Sequence, residues 1–220
     1  IGDSQDMTLY HNGFDSYIEP FLGGGAVFFH LQPPNSSLSD LNPELIDTYC
    51  AVKEDVDEVL CALRKFRNTE ESYYELRKQK FRNDYKRAAR FIFLNKTSFN
   101  GIYRVNLKGE YNVPYGHRKS LGINENNLRN VSIALQGADI KARDFYDSID
   151  DIKKNDLVFL DPPYTVTHNS NGFIQYNSKL FDIQSQHRLS EYINEVKKKG
   201  AFYILTNAAH DEVKKLFDRP

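Results

Sequence analysis

Two spacings of apolar residues alternate along the chain. Short runs bounded by turn formers, at Ser16–Phe21, Ser36–Asn42, Ala138–Asp144, Leu157–Leu160 and Ala201–Asn207, have the length and content of strands. Between them apolar positions recur every third or fourth residue, which predicts helices. Gly23–Leu31 turns into a short apolar helix, and Pro43, suited to a first helical turn, opens one that runs toward Arg67. A second long helix is expected over Glu70–Leu94, where Tyr73, Leu76, Phe81, Tyr85 and Ala88 contribute to an apolar stripe. Further helices are expected at Asn124–Gln136, Asp182–Lys199 and His210–Phe217. The pattern breaks between Asn95 and Lys119, with a hairpin turn at LKGEY (Leu107–Tyr111), and again in the polar stretch Thr165–Lys179, which reads as a lid loop. Strands alternating with helices predict an α/β fold with a largely parallel sheet. The sheet domain is expected to comprise 1–50 and 133–220, interrupted after its second strand by a helical and hairpin region over 51–132.

Composition changes this picture in one respect. The net charge is only −1, but the segment Arg77–Lys119 carries twelve basic residues against Asp84 and Glu110, a surplus of ten that the rest of the chain must offset. Such an asymmetry fits a phosphate-facing module on an acidic body, although the lysines between Arg77 and Arg90 equally fit a solvated helix face. With 220 residues, 40% of them hydrophobic, the chain can bury a core without disulfides. Cys50 and Cys61 are expected as reduced thiols in a cytoplasm. No apolar run reaches membrane-spanning length, IGDSQDMTLY lacks the features of a signal peptide, and the histidines show no metal-ligand spacing. A soluble intracellular protein without a metal is expected, with a monomer favoured.

The chemistry concentrates where strands end. In LVFLDPPY an apolar strand stops at Asp161, and Pro162 and Pro163 withhold two backbone donors, leaving a stiff cluster of acceptors beside the Tyr164 ring. The carboxyl edge of an open α/β sheet is where ligands bind. Upstream, Gly23, Gly24 and Gly25 lie between a strand and a helix, where a ligand can approach the backbone closely. The dinucleotide fingerprint fails, because Phe28 stands where its third glycine belongs, so a hydride-transfer enzyme is disfavoured. Asp40, at the end of the second strand, is placed to accept from both hydroxyls of a ribose, and Asn42 is the better candidate for capping the next helix. A nucleoside without a pyrophosphate suits these residues.

Taken in order, EPFLGGGAVFF, SDLNPELI, SFNGIYRVNLKGEYNVPYG and LDPPY resemble the Dam-type, or D12, class of DNA adenine N6-methyltransferases over Tyr17 to about Phe217. The resemblance implies a Rossmann-like S-adenosylmethionine-dependent methyltransferase sheet with an inserted, mainly helical DNA-recognition subdomain. It implies that Asp161 and the Pro162 carbonyl accept the two hydrogens of the target amine, that Pro163 stiffens the turn, and that Tyr164 stacks on an adenine extruded from double-stranded DNA. For the donor it implies that Glu19, Pro20, Phe21, Gly23 and Gly25 border the methionine and ribose. Asp40, with Leu41 and Asn42, would hold the ribose, and Asp161 would reach the donor as well. Asp144 and Phe145 would take the donor adenine, although core packing explains Phe145 almost as well. Arg104, Asn106 and Lys108 are implied DNA contacts, with Arg90, Asn95, Lys96 and Arg118 behind them. The hairpin motif points to a GATC-like target.

Two features depart from the family pattern. Its usual opening, an aromatic stretch leading to a GGK-like turn, is absent between Ile1 and Ser16, and its closing strand is absent after Pro220, so the chain is expected to be a fragment. The alternative reading is therefore a DNA-binding, catalytically weak remnant. A third, methylation of some other amine, is disfavoured by the aspartate at 161.

Overall fold

A computed structural model describes residues 13–106, 108–163 and 181–206. In chain order it contains β1 (Tyr17–Glu19), α1 (Ala26–Leu31), β2 (Ser36–Asp40), α2 (Pro43–Glu54), α3 (Val56–Leu63), α4 (Glu70–Lys78) and α5 (Asp84–Thr97). These are followed by α6 (Glu125–Leu135), β3 (Ala138–Ala142), β4 (Leu157–Leu160), α7 (Ile183–Lys198) and β5 (Phe202–Leu205). The chain divides into two compact units, one formed by the residues up to Leu41 and from Gly137 onward, the other by Asn42–Gln136. The boundaries anticipated at 50/51 and 132/133 fall inside α2 and α6. The lid stretch and the expected last helix lie outside the described residues, as does Tyr164.

The first unit is built on a five-stranded sheet of order β3-β2-β1-β4-β5 in which every pairing is parallel. Tyr17 stands opposite Ser36 on one side and Leu157 on the other. The chain fills one flank of β1 with β2 and β3, then crosses over to fill the other with β4 and β5. The direction of winding therefore reverses between β1 and β4, and the crevice outside their carboxyl ends is the expected ligand site of a Rossmann-like sheet. Helix α7 is capped by Asp182, which accepts from Ser185 N at 2.9 Å, and it buries Leu189, Tyr192, Ile193 and Val196 along one face. Each such aliphatic side chain contributes about 1.5–3 kcal/mol on burial. Ser148 Oγ donates to Phe145 O at 2.6 Å, so the contact at 2.7 Å between Ser148 Oγ and Tyr192 OH is donated by the tyrosine. A 3-10 segment at Phe145–Asp151, unforeseen in the sequence, thereby joins β3 to β4 against α7.

In the second unit α5 buries Ala88, Ala89, Phe93 and Leu94 against Val59, Leu60, Leu63 and Tyr73. Both long helices expected here are broken. Between α2 and α3, Asp55 is extended (φ −150°) and its Oδ1 accepts from Asp57 N and Glu58 N, both at 3.1 Å, capping a new helix. Between α4 and α5, Asn83 does the same for Lys86 N at 2.9 Å. The two pieces in each case pack into one core, so their apolar residues read alike in the sequence, and the capping side chain starts the second piece. Flanking the anticipated hairpin turn, Val105 is bridged to Tyr111 and Ser98 to Tyr115, both antiparallel. Tyr73 OH and Arg77 Nη1 both donate to Val113 O, at 2.8 and 3.1 Å, and fasten the hairpin to α4.

Candidate active site

The carboxyl edge of the sheet carries an acid at or just after the end of four strands: Glu19 on β1, Asp40 on β2, Asp144 after β3 and Asp161 after β4. Alternation along each strand sends apolar neighbours into the core, and the chain then turns. After β1, Leu22 N donates to Ser39 O and Gly23 N to Asp40 Oδ2, both at 2.9 Å, so the glycine turn is pinned onto the end of β2 and orients the Asp40 carboxylate. Gly23 (φ 46°) and Gly25 (φ 63°) are both left-handed, and a Cβ at Gly25 would stand 2.8 Å from the Phe29 ring. Around Gly23 and Gly24 nothing lies within 4 Å of an added Cβ, so the backbone there forms an open ledge.

Glu19 is 2% exposed. Burial pushes its carboxyl up to about 7, opposed by hydrogen bonds from Tyr17 OH (2.8 Å) and the Phe28 N–H and reinforced by the negative charge of Asp161. The same burial, with the Glu19 charge, pushes the Tyr17 phenol upward. Asp161 is exposed, accepts a hydrogen bond at Oδ1 from Thr206 Oγ1, and is followed by buried Pro162 and exposed Pro163. Two carboxylates thus interact electrostatically across the β1/β4 switch, one sequestered and one presented.

The other expected donor residues are distributed as follows. Pro20 is buried, Phe21 is half-buried and Leu41 is 66% exposed. The Asn42 side chain accepts from Glu44 N (3.1 Å) and Leu45 N (3.4 Å) and is the N-cap of α2. Asp144 caps the 3-10 segment through Tyr146 N at 2.9 Å and takes both outer nitrogens of Arg188, at 2.7 and 3.2 Å. Phe145 is 5% exposed and stacks on Phe21 at 5.0 Å, with the Arg188 guanidinium 5.1 Å from its ring centroid. These contacts put the Phe145 ring in the core rather than on an open ligand face. Arg188 and Thr206 were not foreseen. Thr206 could have been found, since it ends the AFYILT run at the edge where Asp161 emerges, but nothing distinguishes Arg188 from any polar position of an amphipathic helix.

The candidate DNA residues separate into two groups. Arg90, only 13% exposed in its side chain, donates to Leu76 O and Arg77 O, both at 2.8 Å, and lies 3.5 Å from Glu44. It satisfies the last carbonyls of α4, so its place is structural rather than at an outer surface. Asn106 builds the hairpin turn: its Oδ1 accepts from Lys108 N and Glu110 N at 2.9 and 3.0 Å. Arg104 Nε donates to Asn112 Oδ1 at 2.8 Å, and Asn95 donates to Gly101 O at 3.3 Å. Lys96, Lys108 and Arg118 are exposed, with Arg118 Nη2 lying 3.6 Å from the Cβ position of Gly101.

Among the described residues no group of three or more His, Cys, Asp or Glu is arranged to hold a metal, and no helix is long and apolar enough to cross a membrane. Residues 8–219 match the family model described as D12 class N6 adenine-specific DNA methyltransferase. The chain is 38% identical over 227 residues to the type II methyltransferase M.MjaIII of Methanocaldococcus jannaschii, covering 94% of this chain and 78% of that protein. It is 31% identical over 200 residues to the DNA adenine methylase of Escherichia coli, covering 88% and 71%. To the DNA N-6-adenine-methyltransferase of Escherichia phage P1 it is 32% identical over 207 residues, covering 91% of this chain and 27% of that larger protein. With a parallel sheet wound in this order, carboxylates along its carboxyl edge and a family match over nearly its whole length, the chain belongs to the D12 class of N6 adenine-specific DNA methyltransferases.

Proposed function

We propose that this protein moves the methyl group of S-adenosylmethionine to the exocyclic amine of an adenine extruded from double-stranded DNA, within a GATC-like site. The observation that carries this reading is the presented carboxylate of Asp161 at the winding switch, followed by two prolines that offer carbonyls and no N–H. Adenine's amine is a poor nucleophile because its lone pair is delocalised into the ring. Asp161 and the Pro162 carbonyl, accepting its two hydrogens, favour a tetrahedral nitrogen, and their partial charges stabilise the amine as it becomes cationic. Tyr164 is assigned to stacking on the base, which must leave the duplex because pairing otherwise holds its amine.

The residues present fit a nucleoside donor. The ledge at Gly23 and Gly24 is open, and the Asp40 carboxylate is oriented beside it by the Gly23 N–H. Glu19 is assigned to the cationic methionine end, Asp40 to the ribose hydroxyls and Asp144 to the adenine amine. When bound, the donor supplies an electrophilic methyl carbon on a sulfonium. Catalysis then rests on orientation, without a covalent enzyme intermediate. In the second unit Lys96, Lys108 and Arg118 are assigned to phosphates, which position the duplex, while Arg104 is assigned to base reading within the hairpin.

The test is expression of the complete protein in cells lacking adenine methylation, followed by long-read detection of modified bases. N6-methyladenine at one short motif is expected, and its disappearance in Asp161→Ala. Full activity of that variant would remove the carboxylate from the mechanism.

A further inference from the structure

We infer that Thr206 is a positioning residue for the reaction, fixing the plane of the Asp161 carboxylate through a hydroxyl held at the end of the neighbouring strand. The inference rests on the role given to Asp161 above. β4 and β5 pair in register up to Leu160 opposite Leu205, so Asp161 and Thr206 are the first residues past the ladder on adjacent strands. The pairing continues one step further, because Thr206 N donates to Leu160 O at 2.9 Å. Both backbones are therefore fixed where the sheet ends, and the hydroxyl spans the gap to Asp161 Oδ1.

Leu160 O also lies 3.3 Å from Thr206 Oγ1, but a hydroxyl has one proton. The bond to the carboxylate is the shorter and is charge-assisted, so it takes that proton. Threonine suits the task because its branched Cβ restricts χ1, leaving the hydroxyl little freedom to swing away. Asp161 itself is exposed, and an exposed carboxylate without such a tether samples several rotamers. With Oδ1 tied to β5, the carboxylate plane is set before substrate arrives, and so is the direction in which its lone pairs meet the amine hydrogens. Reorienting the group during each turnover is avoided.

The experiment compares Thr206→Val, which keeps the shape and loses the hydroxyl, with Thr206→Ser, which keeps the hydroxyl, in the complete protein. The substrate is unmethylated plasmid DNA, and donor affinity is read separately by calorimetry with S-adenosylhomocysteine. Thr206→Val is expected to lower kcat by about tenfold or more, the scale of losing one orienting contact at a reacting group. Its affinity for S-adenosylhomocysteine and its melting temperature are expected to stay at wild-type values, and Thr206→Ser is expected to restore most of kcat. Wild-type kcat in Thr206→Val overturns the inference. So does a parallel loss of kcat, donor affinity and melting temperature, or equal impairment of the serine variant. Asp161→Ala, run alongside, separates the two layers: if it is fully active, the role of Asp161 falls, whereas an inactive alanine variant beside a normal valine variant removes Thr206 alone.

Discussion

Replacing Glu19 by glutamine probes the cost of keeping an acid in the interior beside the candidate site. The carboxyl is 2% exposed and its pKa rises from an ordinary 4.5 to about 7, with burial as the largest cause. The folded protein therefore holds this proton more tightly than the unfolded chain does. The sign follows from linkage: between about pH 4.5 and 7 the unfolded state binds fewer protons, so stability falls as pH rises through that window. The gap corresponds to about 3 kcal/mol lost by the time Glu19 is fully ionised. Glutamine keeps one acceptor oxygen, which can serve Tyr17 OH, but cannot ionise, and its fixed cost is the same at every pH. Urea unfolding of both proteins across this range, read as a difference, cancels the other titrating groups. The glutamine variant should gain on wild type with rising pH, by up to about 3 kcal/mol above pH 7, while losing donor affinity. A difference that does not change with pH would refute the argument, because it would mean that Glu19 titrates alike in both states.

Three further outcomes are expected. Lys96→Ala, Lys108→Ala and Arg118→Ala should each weaken DNA binding across sequences and reduce the slope of log affinity against log salt by about 1, measured by fluorescence anisotropy. Arg90→Ala should leave that slope unchanged and lower unfolding free energy by about 1–3 kcal/mol, because it removes the guanidinium hydrogen bonds to Leu76 O and Arg77 O. Asp55→Ala should cost about 1 kcal/mol in urea unfolding, since it removes the two cap bonds that start α3.

Strands and their terminal acids were legible in the sequence because each is bounded by a strong signal: prolines after Asp161, glycines after Phe21, a helix-opening proline after Asp40. Those bounds fix which residues reach the carboxyl edge, and the parallel sheet follows from the alternation of elements. Helix continuity was not legible. Asp55 and Asn83 break two helices, yet an acid or amide on a polar face reads the same whether it caps or faces solvent. Direction was not legible either: Arg90 and Lys96 look equivalent as basic residues of one segment, but one points at α4 and the other is exposed. Phe145 likewise follows an acid at the edge, while its packing against Phe21 depends on residues more than a hundred positions away. Arg188 becomes visible only once α7 stands beside Asp144, whereas the end of the AFYILT run already marks Thr206 as an edge residue.

Neighbouring strands β2 and β3 are joined by the whole of Asn42–Gln136, where a simple crossover helix would suffice. At the return, Gly137 has Pro34 O 2.8 Å from where a Cβ would stand, so that position has little tolerance for a larger residue. Between these two attachment points the sheet dictates neither the length nor the content of the connection, and loop closure grows only slowly more costly with length. An evolving lineage can thus exchange or enlarge this unit as a cassette while the winding of the sheet stays as it is.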